Sequence, residues 1–336
     1  DRIDADSAAR LLGGNPIDLG ERADAVRRRL HANRAFYTVN AAITYSNTCE
    51  ALCPICSFAR REGQQGAYVL SPDEVHNRAL NFSKMGAREI HIIGGIYSKL
   101  PLQYYIDIIK AARAADKNFN IVAFTVSECS LMAKISGKKL SEICEILQGA
   151  GVNALPGGGA EIFNPQIRRR ITPNKLTGEE WLEAMRIAHL SGLKTNATML
   201  YGHIETPRDA ADHLLKLRDL QDKTGGFKAF VPLPFRKGKS DIPSNSSATY
   251  DIKICALARL VLDNFAHIRV PITHFDERLA QVLLCFGADD IGGTHWHEEV
   301  AVSAGAGAND RSAKKLESII KTAGFEPVLT NSNYDA

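Results

Sequence analysis

Three of the chain's seven cysteines lie in one short stretch, TCEALCPICSF, which runs from Thr48 to Phe58. Cys49, Cys53 and Cys56 are separated by three and then two residues, and the stretch contains neither a histidine nor a fourth cysteine. Thiolate sulfur is a soft ligand that selects zinc, copper(I) or iron–sulfur clusters. The spacing therefore indicates a metal or cluster site with three protein ligands.

Three ligands without a fourth fit an iron–sulfur cluster better than zinc. A structural zinc site closes four ligands, usually as two separated pairs, and an electron-transfer cluster also normally uses four cysteines. Cys129 and Cys144 have no partner at hairpin spacing, so we interpret both as buried thiols. We predict a 4Fe–4S cluster held by Cys49, Cys53 and Cys56, with one iron left open for a substrate. A zinc site and a loop of ordinary cysteines are the alternatives.

Alternating strand and helix patterns position this stretch. Six strand-like runs begin about 30 to 50 residues apart, with helix signals between them, which is typical of parallel β/α units. The cysteine stretch directly follows the first run, so we expect it at the carboxyl-terminal mouth of a β/α barrel, where such barrels have their active sites. The six runs are residues 39–46, 89–95, 120–126, 153–159, 193–202 and 227–233.

The predicted fold class is α/β, a TIM-type (β/α) barrel with six units and two further candidates. We expect a single domain made of a helical N-terminal extension (1–38), a barrel core (39–235) and a C-terminal extension (236–336). The two further units, around 268–275 and 287–293, would either close the barrel at eight strands or cap it. Helix starts are clearest at Ser71, Thr177 and Thr206, each of which precedes an acid by three residues.

Composition excludes several classes of protein. Among 336 residues, 45% are apolar and 24% are charged, and the formal charge of +3 is too small to indicate a nucleic-acid partner. No apolar run is long enough for a membrane helix, and the polar N-terminus is unlike a signal peptide. With an odd number of cysteines, a disulfide framework is not expected either. We therefore predict a cytoplasmic protein with no nucleic-acid or membrane partner.

The cysteine stretch after a first barrel strand resembles the radical S-adenosylmethionine (SAM) superfamily. In that superfamily the open iron binds the amino and carboxylate groups of SAM, and one electron from the cluster splits SAM into methionine and a 5′-deoxyadenosyl radical. The resemblance implies a 4Fe–4S cluster, SAM, and a low-potential electron donor such as flavodoxin or ferredoxin. Ile55 stands where the superfamily usually has an aromatic residue, and Phe58 is the candidate replacement at the adenine.

Longer segments narrow the resemblance. LPGGGAEIF (155–163) paired with NATMLYGHIET (196–206) resembles the aminofutalosine synthase family of menaquinone biosynthesis. The resemblance implies that the deoxyadenosyl radical adds to 3-[(1-carboxyvinyl)oxy]benzoate, with rearrangement and decarboxylation to 6-amino-6-deoxyfutalosine, so that SAM is consumed as a co-substrate. Cyclic dehypoxanthinyl futalosine synthase and the deazaflavin (FO) synthases share the cysteine loop and are the alternatives.

The resemblance and the strand ends together assign cofactor residues. The glycines that end the second strand would let backbone carbonyls approach the SAM ammonium, although a tight turn alone would also explain them. Glu128 would bind the ribose hydroxyls or the ammonium of SAM, and Glu161 either approaches SAM or forms a structural salt bridge. The predicted cofactor-binding residues are Phe58, Gly94, Gly95, Thr125, Ser127, Glu128, Gly158 and Glu161.

Substrate and proton handling are assigned to the later strand ends. Tyr201, His203 and Glu205 alternate at the end of the fifth strand, which would point all three to one face as catalytic groups. Arg168 and Arg236 are the candidates for binding the carboxylates of the substrate, because guanidinium matches carboxylate bidentately. A histidine-metal hydrolase, suggested by further histidines at positions 274, 295 and 297, would leave the cysteine stretch unexplained.

Overall fold

The computed structural model describes residues 2–306 and 311–335. The strands are β1 (Arg34–Thr38), β2 (Asn40–Ser46), β3 (Glu89–Gly94), β4 (Asn120–Ala123), β5 (Ala154–Leu155), β6 (Lys194–Tyr201), β7 (Phe227–Pro234), β8 (His267–Ile268), β9 (Asp290–Gly293) and β10 (Glu326–Thr330). The helices are α1 (Ala5–Gly13), α2 (Pro16–His31), α3 (Pro72–Lys84), α4 (Leu102–Ala115), α5 (Val126–Ser136), α6 (Leu140–Ala150), α7 (Pro165–Ile171), α8 (Gly178–Leu190), α9 (Pro207–Thr224), α10 (Ala248–Val261), α11 (Glu277–Leu284), α12 (Glu299–Ser303) and α13 (Ala313–Thr322).

A closed ring of parallel strands forms the centre of the fold. Strands β2 to β8 pair in chain order in one seven-stranded sheet. β1 leads into β2 with only Val39 between them, and β1 pairs with β9. Just after β8, Arg269 forms a parallel bridge with Asp290 of β9. Within the described residues the ring thus closes through β9 at eight strand positions, and the two late units close the barrel. The predicted barrel is confirmed.

The N-terminal segment contains a strand as well as helices. α1 and α2 match the expected helical extension, but Arg34–Thr38 is strand β1 and pairs with both β10 and β9. The helical prediction is wrong for these five residues. The partners of β1 lie near the other end of the chain, so no local pattern reveals them. Barrel strands also continue past residue 235, in β8 and β9.

The predicted helix starts are observed as hydrogen-bonded caps. Ser71 N donates to Glu74 Oε2 at 2.7 Å, and Glu74 N donates back to Ser71 Oγ at 3.3 Å, which forms a capping box at the start of α3. Equivalent boxes start α8 and α9. The apolar side chains of α3, including Val75 and Phe82, are buried against the barrel. These caps fix where each helix begins behind its strand.

Strand alternation separates the helix-facing layer from the barrel interior. Ile43 and Tyr45 of β2 join the apolar core, whereas Thr44 faces a cavity at the mouth. At the opposite end, Ser332 donates its backbone N and its Oγ to the Glu89 carboxylate, at 2.6 Å each. The described part of the chain has no helix with the length and apolar character that a bilayer crossing requires.

Candidate active site at the barrel mouth

A cavity of about 240 Å³ lies at the carboxyl ends of the first four ring strands. Its lining includes all three cysteines of the loop and all eight predicted cofactor residues. The structure therefore brings together residues that are spread over more than a hundred positions of the chain. These eleven residues are Cys49, Cys53, Cys56, Phe58, Gly94, Gly95, Thr125, Ser127, Glu128, Gly158 and Glu161.

Backbone hydrogen bonds hold the cysteine loop closed. Cys49 N donates to Arg60 O at 2.9 Å, and Cys56 N donates to Cys53 O at 2.9 Å. Two backbone amides point at sulfur: Ile96 N lies 3.4 Å from Cys49 Sγ and Ala59 N lies 3.4 Å from Cys56 Sγ. Amide donors of this kind stabilise negative charge on thiolate sulfur. The loop is therefore preorganised for anionic sulfur ligands.

Gly95 allows the second unit of the barrel to approach the cysteine loop. A Cβ at Gly95 would lie 2.1 Å from Thr48 O and 2.9 Å from Cys49 Cβ, closer than any real contact. A Cβ at Gly94 would similarly strike the ring of Tyr45 at 2.5 Å. Close packing against backbone at Gly95 and against an aromatic ring at Gly94 explains why both positions are glycine. Their predicted contact with a ligand ammonium remains a prediction.

Lys175 lines the same cavity and is the residue that sequence reasoning missed. Its Nζ lies 3.0 Å from Glu161 Oε1, and this pair keeps the pKa of Glu161 below its usual value although burial opposes the shift. Burial raises the pKa of the Cys53 thiol to about 11, and the Lys175 ammonium works against that rise. A single cation thus stabilises negative charge both on the Glu161 carboxylate and in the cysteine loop.

The loop that carries Lys175 is tied to the cysteine loop. Asn174 Nδ2 donates to Ala51 O at 3.1 Å. Glu161 itself has a φ of 46°, an unfavourable left-handed conformation for a residue other than glycine. The available signal is a lysine two residues before the predicted helix cap at Thr177, but nothing in the local pattern joins it to the cysteines.

Glu128 is buried and its carboxylate is fully occupied by the protein. Oε1 accepts from Tyr45 Oη at 2.8 Å and from Gly94 N at 3.1 Å. Oε2 accepts from Thr125 N at 2.7 Å and from Thr125 Oγ1 at 2.8 Å. Burial raises the pKa of Glu128, and these four bonds oppose the rise. A carboxylate has about four acceptor positions, so Glu128 orients the strand ends around the cavity.

Phe58 lines the cavity and Ile55 does not. The Phe58 ring packs edge-on to Tyr68, with 6.5 Å between centroids. Ile55 is half-buried and packs against the apolar core. Phe58 is therefore the aromatic side chain of this loop that lines the cavity, and its contact with a ligand remains a prediction.

The three predicted catalytic residues lie apart from this cavity. β6 ends at Tyr201 and the chain then turns at Gly202, which has a φ of 79°, so the expected strand alternation stops there. Tyr201 Oη donates to Asp251 Oδ1 at 2.8 Å. His203 N donates to Glu205 Oε2 at 2.9 Å, and burial lowers the pKa of His203. These contacts form a polar cluster beside α10.

The two predicted substrate arginines have different surroundings. Arg168 is 4% exposed and donates to four backbone carbonyls, those of residues 159, 160, 162 and 176. The structure does not bring it to the cysteine cavity, because its donors join the glycine-rich segment to the loop before α8. Arg236 donates Nη2 to His274 O at 2.6 Å and lines a separate cavity with Asp251.

Two family models match the chain. The model described as the radical SAM superfamily matches residues 43–217, more than half of the chain, and the model described as the CofH/MqnC C-terminal region matches residues 224–336. The chain belongs to the radical SAM superfamily. It is therefore a radical SAM enzyme, and the predicted family and barrel fold are confirmed.

Relatives of this radical SAM enzyme differ in the reaction they are named for. The aminodeoxyfutalosine synthase of Thermus thermophilus is 37% identical over 319 residues, which are 93% of this chain and 86% of that protein. The 5-amino-6-(D-ribitylamino)uracil–L-tyrosine 4-hydroxyphenyl transferase of Methanopyrus kandleri is 33% identical over 344 residues, which are 99% of this chain and 93% of that protein. The first relative confirms the resemblance to the aminofutalosine synthases, and the second shows that an enzyme named for another reaction is nearly as similar.

Solved structures confirm the fold alone. The [FeFe]-hydrogenase maturase HydG from Carboxydothermus hydrogenoformans superimposes with a TM-score of 0.78 at 18% identity, covering 99% of this chain and 78% of that one.

The residues present fit the cluster and the SAM that the superfamily implies. The three cysteines are free thiols on one cavity, and its lining contains neither a histidine nor a further cysteine. Two backbone amides at sulfur and the nearby Lys175 ammonium suit a ligand set of three thiolates. Next to the cysteines, the glycine-lined part of the cavity has space for a small molecule.

Proposed function

We propose that this radical SAM enzyme is an aminofutalosine synthase. It would join the adenosyl part of SAM to 3-[(1-carboxyvinyl)oxy]benzoate and release 6-amino-6-deoxyfutalosine for menaquinone biosynthesis. The observation that carries the proposal is one cavity in which three cysteines and eight predicted cofactor residues meet. The choice of reaction is supported by 37% identity to an aminodeoxyfutalosine synthase over 93% of the chain.

In this proposal Cys49, Cys53 and Cys56 hold the 4Fe–4S cluster and leave one iron to SAM. When bound, the cluster supplies the single electron that splits SAM. Phe58 would lie against the adenine, and Thr125, Ser127 and Gly158 would border the ligand, because all four line the cavity. Gly94 and Gly95 would offer backbone carbonyls to the methionyl ammonium of SAM.

Charged residues divide between binding and positioning. Lys175 and Glu161 would set the charge next to the cluster and SAM, since they form an ion pair on the cavity wall. Glu128 would position Thr125 and Gly94 through its four hydrogen bonds. Arg168 would act in the same indirect way, because both of its terminal nitrogens donate to backbone carbonyls.

The substrate would enter from the side of β6 and β7. Arg236 has a buried Nε without a hydrogen-bond partner among the described residues, and it borders a cavity at the carboxyl end of β7. We propose that it binds a substrate carboxylate there. Tyr201, His203 and Glu205 remain proposals for proton handling from the polar cluster beside this cavity.

The reaction also needs an electron donor and a reducing environment. A low-potential carrier such as flavodoxin or ferredoxin would supply the electron. The seven cysteines are free, which agrees with a reducing, cytoplasmic compartment.

A second candidate function is transfer of a tyrosine-derived hydroxyphenyl group, as in the deazaflavin (FO) synthases. The relative from Methanopyrus kandleri, 33% identical over 99% of this chain, favours it. Cyclic dehypoxanthinyl futalosine synthase is the third, since the C-terminal model is shared with that group.

A substrate panel separates these reactions. Reconstituted protein, SAM and dithionite would be incubated anaerobically with 3-[(1-carboxyvinyl)oxy]benzoate, with tyrosine plus 5-amino-6-(D-ribitylamino)uracil, or with dehypoxanthine futalosine. We expect an adenosyl adduct with the first substrate only, detected by mass spectrometry. Turnover with either of the other two, accompanied by free 5′-deoxyadenosine, would overturn the assignment.

A further inference from the structure

We infer that the surface around Cys56 is the docking site for a small acidic protein that carries a one-electron centre. The inference rests on that part of the proposed function that requires reduction of the cluster, and it does not depend on which substrate is used. One electron would leave the reduced centre of the carrier and enter the cluster, so that the carrier is oxidised by one electron and no atom is transferred.

The cysteine loop comes to the surface at one end. Cys53 is buried and Cys49 is half-buried, whereas Cys56 is exposed, as is Pro54 two residues before it. A cluster held by these three residues is therefore nearest to solvent beside Cys56. The side chains of Pro54, Ile55 and Ser57 there carry no charge.

Two lysines flank this uncharged patch on the segment after β7. Lys239 N donates to Ser57 Oγ at 3.2 Å, and a Cβ at Gly238 would lie 2.5 Å from the same oxygen. The backbone of this segment is thus in direct contact with the residue after Cys56. Lys237 and Lys239 are exposed, and neither has a carboxylate within 4.0 Å in the described part of the chain.

The remaining charges around the loop leave an excess of positive charge. Arg61 is exposed and has no ion-pair partner within the described ranges. Glu62 is paired with Lys99 at 2.7 Å, which cancels both charges. Glu50 accepts from Ser98, and Asp241 is an exposed acid just beyond the lysines. Glu50 and Asp241 thus keep two negative charges against the three cations Arg61, Lys237 and Lys239, which leaves a small net positive charge within the described residues.

An uncharged centre with a basic rim suits a transient complex with an acidic carrier. Complementary charge raises the association rate, by roughly 10- to 1,000-fold in strongly steered cases, and the effect falls with salt. Small electron-transfer interfaces need little apolar area. The docking surface is thus defined by Arg61, Lys237 and Lys239 around the exposed loop.

The test compares two reductants on the same reconstituted protein. Reduction of the cluster is followed by the loss of its visible absorbance, using either photoreduced flavodoxin as the acidic carrier or dithionite. We expect Lys237→Glu with Lys239→Glu to slow reduction by flavodoxin about ten-fold at low salt. Reduction by dithionite should change much less, because that small anion forms no docked complex and only the long-range charge acts on it.

A matched control carries the same change of charge elsewhere. Lys84 and Lys117 are exposed and precede β3 and β4, at the opposite end of the barrel, so Lys84→Glu with Lys117→Glu should leave both rates within about two-fold. Equal flavodoxin rates for the parent and the Lys237/Lys239 variant would overturn the inference. It would also be overturned if the Lys84/Lys117 variant were reduced by flavodoxin as slowly as the Lys237/Lys239 variant. Dithionite reduction slowed as much as flavodoxin reduction in the Lys237/Lys239 variant would also overturn it, because the effect would then not require docking. None of these outcomes depends on the substrate panel.

Discussion

Lys175 Nζ lies 3.0 Å from Glu161 Oε1 on the wall of the cavity that Cys53 and Cys56 also line. The pair joins the loop before α8 to the glycine-rich segment after β5, and both side chains are mostly buried, at 23% and 11% exposure. A cation placed between a carboxylate and thiolates compensates negative charge that the site would otherwise leave unpaired.

Lys175→Ala should weaken both the fold and the cluster. The Glu161 carboxylate would remain buried without its cation, so we expect a loss of about 2 kcal/mol in the free energy of unfolding of the iron-free protein, measured with urea. We also expect less iron per chain after anaerobic reconstitution. Lys175→Arg is the matched control. It should retain most of the stability and most of the bound iron, because arginine keeps the positive charge. Equal losses in the two variants would show that packing, not charge, matters here.

Gly95→Ala should displace the cysteine loop. The new Cβ would lie 2.1 Å from Thr48 O, a backbone atom that cannot move alone. We expect iron retention to fall several-fold while circular dichroism keeps the parent helix content. Gly149→Ala in α6 is the control, since a Cβ there meets nothing within 4 Å and alanine favours helix. If both variants held iron like the parent, the close approach at Gly95 would not matter for the cluster.

Glu128→Ala should cost more stability than the same change at an exposed capping box. It leaves Tyr45 Oη, Gly94 N and the Thr125 donors without their acceptor in a buried position, so we expect a loss of about 3 kcal/mol. Glu74→Ala breaks the exposed box at the start of α3 and should cost about 1 kcal/mol. Urea unfolding of both variants measures the difference, and equal costs would contradict the assigned role of Glu128.

Asp251 should make stability depend on pH near 6. Burial raises the pKa of Asp251 to about 6, while the hydrogen bond from Tyr201 opposes the rise. Because the folded pKa lies above the unfolded value of 3.8, the folded state binds the proton more tightly. Its stabilising contribution is present at low pH and is lost as pH rises through about 6, by up to about 3 kcal/mol.

The measurement is the free energy of unfolding between pH 3 and 8 for the parent and for Asp251→Asn, each compared at matched salt. The amide cannot ionise, so the decline between about pH 4 and 6 should be smaller in the variant by the contribution of Asp251. Parallel curves for the two proteins would refute the raised pKa.

The sequence predicts what local patterns encode. The cysteine spacing, the glycines at strand ends and the capping boxes act between near neighbours, and the structure places them as expected. Lys175 was missed because only the folded loops bring it to Cys53. Arg168 is predicted to bind a substrate carboxylate because guanidinium matches carboxylate, whereas in the structure its partners are backbone carbonyls, which no sequence pattern displays.

Three other points have separate physical origins. Strand β1 is fixed by partners near the far end of the chain, so its own residues resemble the end of a helix. The alternation expected for Tyr201, His203 and Glu205 ends because Gly202 turns the chain with a φ of 79°. The ring closure through β8 was undecided, since a strand of two residues has no periodicity to detect.

The most direct test of the account asks whether SAM binds the iron that the three cysteines leave open. Electron–nuclear double resonance of the reduced cluster would be recorded with SAM that carries ¹⁵N in its methionyl amino group. We expect a ¹⁵N coupling to the cluster, which disappears when SAM is omitted. A reduced cluster that is unchanged by SAM, with no ¹⁵N coupling, would contradict the assignment of this cavity.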